Sequence, residues 1–183
     1  MLGRDNEEKL MRQLLDAAGL TQTLSRLADQ IRAELSVEID AVLVGLRTRG
    51  APLAHRLAQL LHDRTGLSLP VGTLDITLYR DDLRQMRRWP EVRGTAIPFP
   101  IEGRRVLLVD DVLFTGRTVV AAINALGDLG RPRDLRLITL VDRGHREYPV
   151  QADYVGLKIP TAPTDRVHVR LVETDSVDEV TVQ

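Results

Sequence analysis

Apolar positions along this chain follow two rhythms. Before residue 36 they recur every three or four residues. Leu10, Leu14 and Leu15 predict a helix over 6–18, and Leu24, Leu27, Ile31 and Leu35 predict one over 21–35. After that, short continuous apolar runs take over. IDAVLVGL at 39–46, VLLVD at 106–110 and Leu135 to Asp142 each read as a strand buried on both faces. Helical spacing returns between them, from about Pro52 to Thr65 and from Gly116 to Leu129, with Gly130 where a C-cap belongs. PVGTLDITLY at 70–79 alternates and reads as a strand, and shorter strands are expected near 153–157, 166–173 and 178–182. Residues 80–103 have no clean period and carry Trp89, Pro90, Pro98 and Pro100. A structureless span of that length inside a small domain is usually functional or mobile. Apolar strands alternating with helices predict an α/β domain, a mainly parallel sheet with helices on both faces. Ligands of such sheets sit at the carboxyl ends of the strands.

Composition changes this picture little. The 183 residues are 43% hydrophobic and 28% charged, enough to bury one core. There is no cysteine, hence no disulfide framework, thiolate metal site or cysteine nucleophile, which fits a cytoplasmic location. The N-terminal residues are charged, and no stretch approaches the roughly 20 apolar residues of a membrane span. A net charge of −1 is not the overall basic balance of a general nucleic-acid binder. Positive charge is almost all arginine, Lys9 and Lys158 being the only lysines.

Three turns follow the three apolar strands: RTRG at 47–50, DDVLFTGRT at 110–118 and DRGHRE at 142–147. Parallel neighbours would gather them on one edge, with Arg47, Arg49, Arg117, Arg143 and the Asp110–Asp111 pair. Gly116 permits a tight turn, the next helix offers unpaired N–H groups and a positive dipole end, and Thr115 and Thr118 add hydroxyls. Together they make a cradle for one phosphate. The spacing is neither G-x-x-x-x-G-K nor G-x-G-x-x-G. Two adjacent carboxylates beside that cradle suit the neighbouring hydroxyls of a ribose 5-phosphate. The same pair also suits Mg²⁺, and a capped helix after a solvated acidic turn is the bland alternative.

The stretch VLLVDDVLFTGRT resembles the signature of the type I phosphoribosyltransferases, and GLRTRG at 45–50, LDITLYRDDL at 74–83, GTAIPFP at 94–100, DLGRP at 128–132, LVDRGHREYP at 140–149 and ADYVG at 152–156 narrow the resemblance to the PyrR family. It covers roughly residues 20–182. Residues 1–19 are read as an N-terminal extension or helix, and 20–183 as the phosphoribosyltransferase domain. The resemblance implies the type I fold with a small hood and flexible loop, and uracil phosphoribosyltransferase activity coupled to an RNA-binding regulator of pyrimidine genes. It implies that Asp110 and Asp111 hold the ribose and that Thr115, Gly116, Arg117 and Thr118 hold the 5-phosphate, with Val112, Leu113 and Phe114 in the same binding stretch. Thr48, Arg49 and Gly50 would face pyrophosphate, in a loop that in such enzymes often carries a non-proline cis peptide. Residues 80–100 would be the lid, with Arg80 near its start and Arg84, Arg87, Arg88 and Arg93 behind it. Arg143 would lie toward the base, and Asp75 would support the site. Mg²⁺ would be held mainly through the substrate, with no direct metal ligand set. Implied partners are uracil, 5-phosphoribosyl 1-pyrophosphate, UMP, GTP as a candidate effector, leader RNA and further copies of the chain in a homo-oligomer. Placement and charge stabilisation suffice for ribosyl transfer, so no Ser/His/Asp set is needed. His55, His62 and His168 are read as structural or solvent-facing, and His145 as a surface or partner contact rather than a base.

The RNA-binding residues implied by the resemblance are Ser25, Arg26, His145, Arg146 and Lys158. Asp29, Gln151 and Leu157 depart from the family pattern, which has His, Arg and Lys there. Lost phosphate contacts weaken nucleic-acid affinity, so the expectation is UMP synthesis with weak or altered leader binding. The competing readings are a non-catalytic RNA-binding attenuator and a purine-salvage transferase.

Overall fold

The computed structural model describes residues 11–35, 40–79 and 94–183. Among them the strands order as β3-β2-β4-β5-β6 in one parallel sheet: β2 Ala41–Leu46, β3 Val71–Leu74, β4 Arg105–Leu113, β5 Asp134–Asp142 and β6 Tyr154–Lys158. A second, antiparallel sheet joins β1 Arg12–Leu15, β8 Glu179–Val182 and β7 Val167–Arg170 in the order β1-β8-β7. It forms a hood near the carboxyl ends of the large sheet.

The pleat sorts the apolar runs onto two faces. Leu43, Leu107, Val109 and Ile138 face one way, against α1 (Ala17–Glu34) and α2 (Gly50–Thr65), and share a core with Leu24, Leu27, Ile31, Leu53 and Leu57. Val42, Val44, Val106, Leu108 and Leu137 face the other way, against α3 (Arg117–Leu129), with Val119, Ala122 and Leu126. Every residue of β2 is buried, which is why it reads as an unbroken apolar run.

Several boundaries differ from the sequence expectation. Residues 12–15, expected in a helix, are a strand pairing antiparallel with β8, so Leu14 and Leu15 meet the core from the hood. The helix begins at Ala17, where the Asp16 carboxylate accepts the Gly19 N–H at 2.7 Å. β4 does not stop at Asp110, because Val112 and Leu113 continue its ladder with β5. β3 ends at Leu74 and a short 3₁₀ turn, Thr77–Tyr79, follows. The strand expected over 166–173 ends at Arg170, and a four-residue turn of helix, α4 (Val172–Asp175), completes the hood.

Candidate functional site

The carboxyl ends of β2, β4 and β5 place three loops side by side. The first is the β2–α2 turn. The Arg47–Thr48 peptide bond is cis, and Gly50 lies so close to β4 that a Cβ there would sit 2.3 Å from the Val109 carbonyl oxygen. A Cβ at Gly45 would likewise lie 2.4 Å from the Gly50 oxygen. These two glycines let the loop carrying Thr48 and Arg49 press against the backbone that leads into Asp110.

Asp110 is 5% exposed and Asp111 is half-buried. The Asp111 N–H donates to the Asp110 carboxylate at 3.0 Å. Burial, and then the neighbouring Asp111 charge, hold the Asp110 carboxyl well above the usual carboxylate range. Burial raises Asp111 too, while a hydrogen bond from Asp110 and the Arg49 charge pull it back. Asp110 therefore keeps its proton longer, and Asp111 is the more accessible acceptor of the two.

Past Leu113 the chain turns at Gly116, whose φ of 89° is open to glycine, into the N-terminus of α3, which has no side-chain cap. The Arg117 N–H reaches the Thr115 hydroxyl at 3.4 Å, which leaves the N–H groups of Thr118 and Val119 for a ligand. The loop is braced from behind by residues 144–150. The Glu147 and Tyr148 N–H groups donate to the Thr115 carbonyl at 2.9 and 3.0 Å. Arg146 donates to the Phe114 carbonyl at 2.7 Å and pairs with Asp142 at 2.7 Å. Arg117 pairs with Glu147 and lies 5.4 Å over the Tyr148 ring. Thr118 is half-buried in the first turn of α3.

The structure brings together Thr48, Arg49, Gly50, the two acids and the turn from Phe114 to Thr118, and gives other expected residues different surroundings: Val112 and Leu113 continue β4 and pack into the two cores. Arg143 is 6% exposed, donates to the Ala162 and Asp165 carbonyls at 2.9 and 2.6 Å, and covers the Phe114 ring at 4.0 Å. Its guanidinium ties the 161–165 loop to the site floor. His145, at φ 61°, bonds the Thr161 carbonyl at 2.7 Å. Arg80, Arg84, Arg87, Arg88 and Arg93 lie outside the described residues. Asp75 brackets that segment, accepting N–H groups from Thr77 at 2.9 Å and Gly94 at 3.2 Å, and Ala96 bridges back to Thr73.

Sequence reasoning missed the hood's share. A cleft of about 370 Å³ lies between Asp111 and Arg49 on one side and His168, Arg170 and Asp175 on the other. Asp175 binds Arg49 through both carboxylate oxygens, at 2.8 and 3.2 Å, and Arg49 holds its carboxyl well below the usual range. No local pattern marks this contact, which spans 126 positions of sequence.

The face expected to meet RNA lies along α1 and β6. Arg26 donates to the Gly156 carbonyl. Arg64 donates to the Ser25 backbone and hydroxyl oxygens at 2.6 and 2.5 Å and pairs with Asp29 at 3.3 Å. Asp29 also lies 4.0 Å from Arg32. Lys158 and Gln151 are exposed and Leu157 is half-buried.

Residues 11–174 match the phosphoribosyl transferase domain family. The chain is 53% identical over 171 residues to the bifunctional protein PyrR of Chloroflexus aurantiacus, covering 93% of this chain and 94% of that protein. It is 49% identical to the bifunctional protein PyrR of Thermus thermophilus, covering 92% and 93%. Among solved structures its fold is similar to a hypoxanthine-guanine phosphoribosyltransferase from Bacillus anthracis, with a TM-score of 0.71 at 18% identity over 93% of this chain and 97% of that one. No described helix is long and apolar enough to cross a membrane.

Proposed function

The chain belongs to the PyrR family of phosphoribosyltransferases, and from that premise we propose that it joins uracil to 5-phosphoribosyl 1-pyrophosphate, forming UMP and pyrophosphate, and regulates pyrimidine genes by binding their leader RNA. The observation that carries the enzymatic reading is the order along β4. A buried acid and a half-buried acid lead, through Val112 to Thr115, into a glycine turn and an uncapped helix N-terminus. That order suits a sugar with two free hydroxyls and a terminal phosphate.

In the reaction the bond from C1 of the ribose to pyrophosphate breaks, and uracil N1 bonds to C1 and releases its proton to solvent. Asp111 accepts from the ribose hydroxyls and fixes the ring. Asp110, behind it, keeps it oriented through the Asp111 N–H. The turn from Thr115 to Thr118 holds the 5-phosphate, and Thr48, Arg49 and Gly50 face the departing pyrophosphate. The work is placement and charge stabilisation. Arg143 contributes by shaping the floor toward the base, since its donors are committed to carbonyls and to the Thr161 hydroxyl. No cluster of three or more metal-ligating side chains occurs among the described residues. Mg²⁺ carried chiefly by the substrate would offset charge on the leaving group. Asp111 is the side chain best placed to meet it.

The RNA reading rests on the family and on the α1–β6 face. There Asp29 faces Arg64 and Arg32, so leader binding is expected to be weak or altered in sequence preference. The family also supports a homo-oligomer. The test is UMP formation from uracil and 5-phosphoribosyl 1-pyrophosphate, with hypoxanthine and guanine as competitors. Uracil should be used and the purines ignored. An inert chain that still binds leader RNA would favour the attenuator reading, and purine turnover would favour salvage.

A further inference from the structure

Arg49, the N-cap of α2, and Arg56 stand seven residues apart, so they project from one face of the helix. Both grip the hood segment 171–178. Arg56 binds Glu173 through two contacts of 2.8 and 2.6 Å and Asp178 through two of 2.8 and 2.7 Å. Arg49 binds Asp175. The segment is also tied internally. The Leu171 N–H donates to Asp175 at 3.1 Å, the Val172 N–H to Asp178 at 2.9 Å, and the Thr174 hydroxyl to Asp175 at 2.6 Å. The Asp175 carboxylate thus has four donors and little freedom to turn.

Resting on the reading that the 47–50 loop faces pyrophosphate, we propose that Asp175 is a positioning residue for the transfer reaction: it fixes the Arg49 guanidinium at the cleft shared with Asp111, and Arg56 anchors the strap that carries it. The geometry leaves a binding edge open. A guanidinium has five donors in a planar fork. Asp175 takes the Nε and Nη2 edge, which leaves Nη1 for a second anion. An arginine already ordered on one edge binds the next anion without the cost of fixing its long side chain then.

The opposing effect is charge, because Asp175 makes the cleft less attractive to a phosphate. The cleft is open to water, where one charge a few ångströms away changes affinity by a factor of about several. Misplacing a catalytic contact by about 1 Å can cost roughly 100-fold. Positioning therefore outweighs repulsion.

The test measures UMP formation with each substrate varied separately, beside calorimetric titration of 5-phosphoribosyl 1-pyrophosphate with Mg²⁺. Asp175→Asn should raise KM for 5-phosphoribosyl 1-pyrophosphate and its calorimetric Kd together, about tenfold, and leave KM for uracil unchanged. Asp175→Glu should recover part of the loss. In an Arg49→Lys background, Asp175→Asn should add nothing, since the edge it organises is gone. Arg56→Lys, which keeps Asp175 but loosens the strap, should move the same KM in the same direction by less, and it carries the test if Asp175→Asn does not fold. Unchanged or tightened binding of 5-phosphoribosyl 1-pyrophosphate by Asp175→Asn would overturn the proposal, as would an undiminished loss in the Arg49→Lys background. A wild-type chain that makes no UMP would instead defeat the uracil reading, while the titration would still judge Asp175.

Discussion

Gly50→Ala tests how tightly the β2–α2 turn and the acid-bearing strand are coupled. The added Cβ would lie 2.3 Å from the Val109 oxygen, 3.2 Å from its carbonyl carbon and 3.4 Å from the Asp110 Cα. An ordinary close carbon–oxygen contact is about 3.3 Å, so the backbones must part by roughly 1 Å. β4 cannot yield, being laddered to β2 on one side and β5 on the other with Val106 to Val109 buried. The first turn of α2 must move, and it carries Arg49. Overpacking of this kind costs about 1–3 kcal/mol. A domain of this size loses about 2–4 °C per kcal/mol, giving a fall of roughly 2–12 °C in Tm. A shift of about 1 Å between Arg49 and Asp111 should cost on the order of 100-fold in kcat/KM. Gly66→Ala is the control. Its φ of 73° also disfavours alanine, but no atom lies within 4 Å of the added Cβ, and it sits at the far end of α2. It should lose about 1 kcal/mol by strain alone and keep full activity. Calorimetry and UMP kinetics on both variants decide the matter. If Gly50→Ala keeps wild-type kcat/KM, or if Gly66→Ala loses as much activity, the close approach at Gly50 does not set the site.

Asp111→Asn should leave Tm near wild type and cut UMP formation by about 100-fold, the worth of a charged hydrogen bond to the sugar. Asp110→Asn should raise stability while lowering activity. The Asp110 pKa is higher folded than unfolded, so the wild-type carboxyl favours the fold most at pH below its unfolded value of about 3.9 and loses that contribution as pH rises through its folded value. The Tm advantage of Asp110→Asn should therefore grow from pH 4 to pH 8, and a constant difference would contradict it. Wild-type kcat/KM should rise with pH through a limb above the ordinary carboxylate range, because burial raises both acids. Asp29→Asn should tighten leader-RNA binding and steepen its salt dependence by about one unit of slope, read by titration at two salt concentrations.

What the sequence disclosed, and what it withheld, follows contact distance along the chain. β2, β4 and β5 are legible because burial on both faces leaves an unbroken apolar run. The acids and the glycine turn are legible because they are contiguous. β1 is not, since Leu10, Leu14 and Leu15 keep helical spacing and only pairing of Arg12 with Val182 shows the segment to be extended. The same holds for Arg143 and for much of Arg146, whose backbone carbonyl partners leave no trace in side-chain identity. Asp175 looks like one more surface acid until the fold sets it against Arg49. Arg143, expected toward the base, and Arg146, expected toward RNA, instead brace the loops around the site.

The two ends of the large sheet give an argument for the site that needs no relative. At the amino ends, Arg104 meets Asp40 at 2.5 Å and Arg105 meets Asp134 at 2.6 Å, arginine to carboxylate at the surface. At the carboxyl ends ordinary preferences are broken repeatedly. A carboxyl is buried at Asp110, an arginine is buried at Arg143, His145 holds a positive φ, and Gly50 is pressed into a neighbouring backbone. Each is unfavourable taken alone, and exceptions of this kind collect where a protein binds or reacts. They come from three separate loops and involve unlike chemistry, so no single packing accident explains them. What they share is the carboxyl edge of the large sheet, the edge at which ligands of parallel α/β sheets bind.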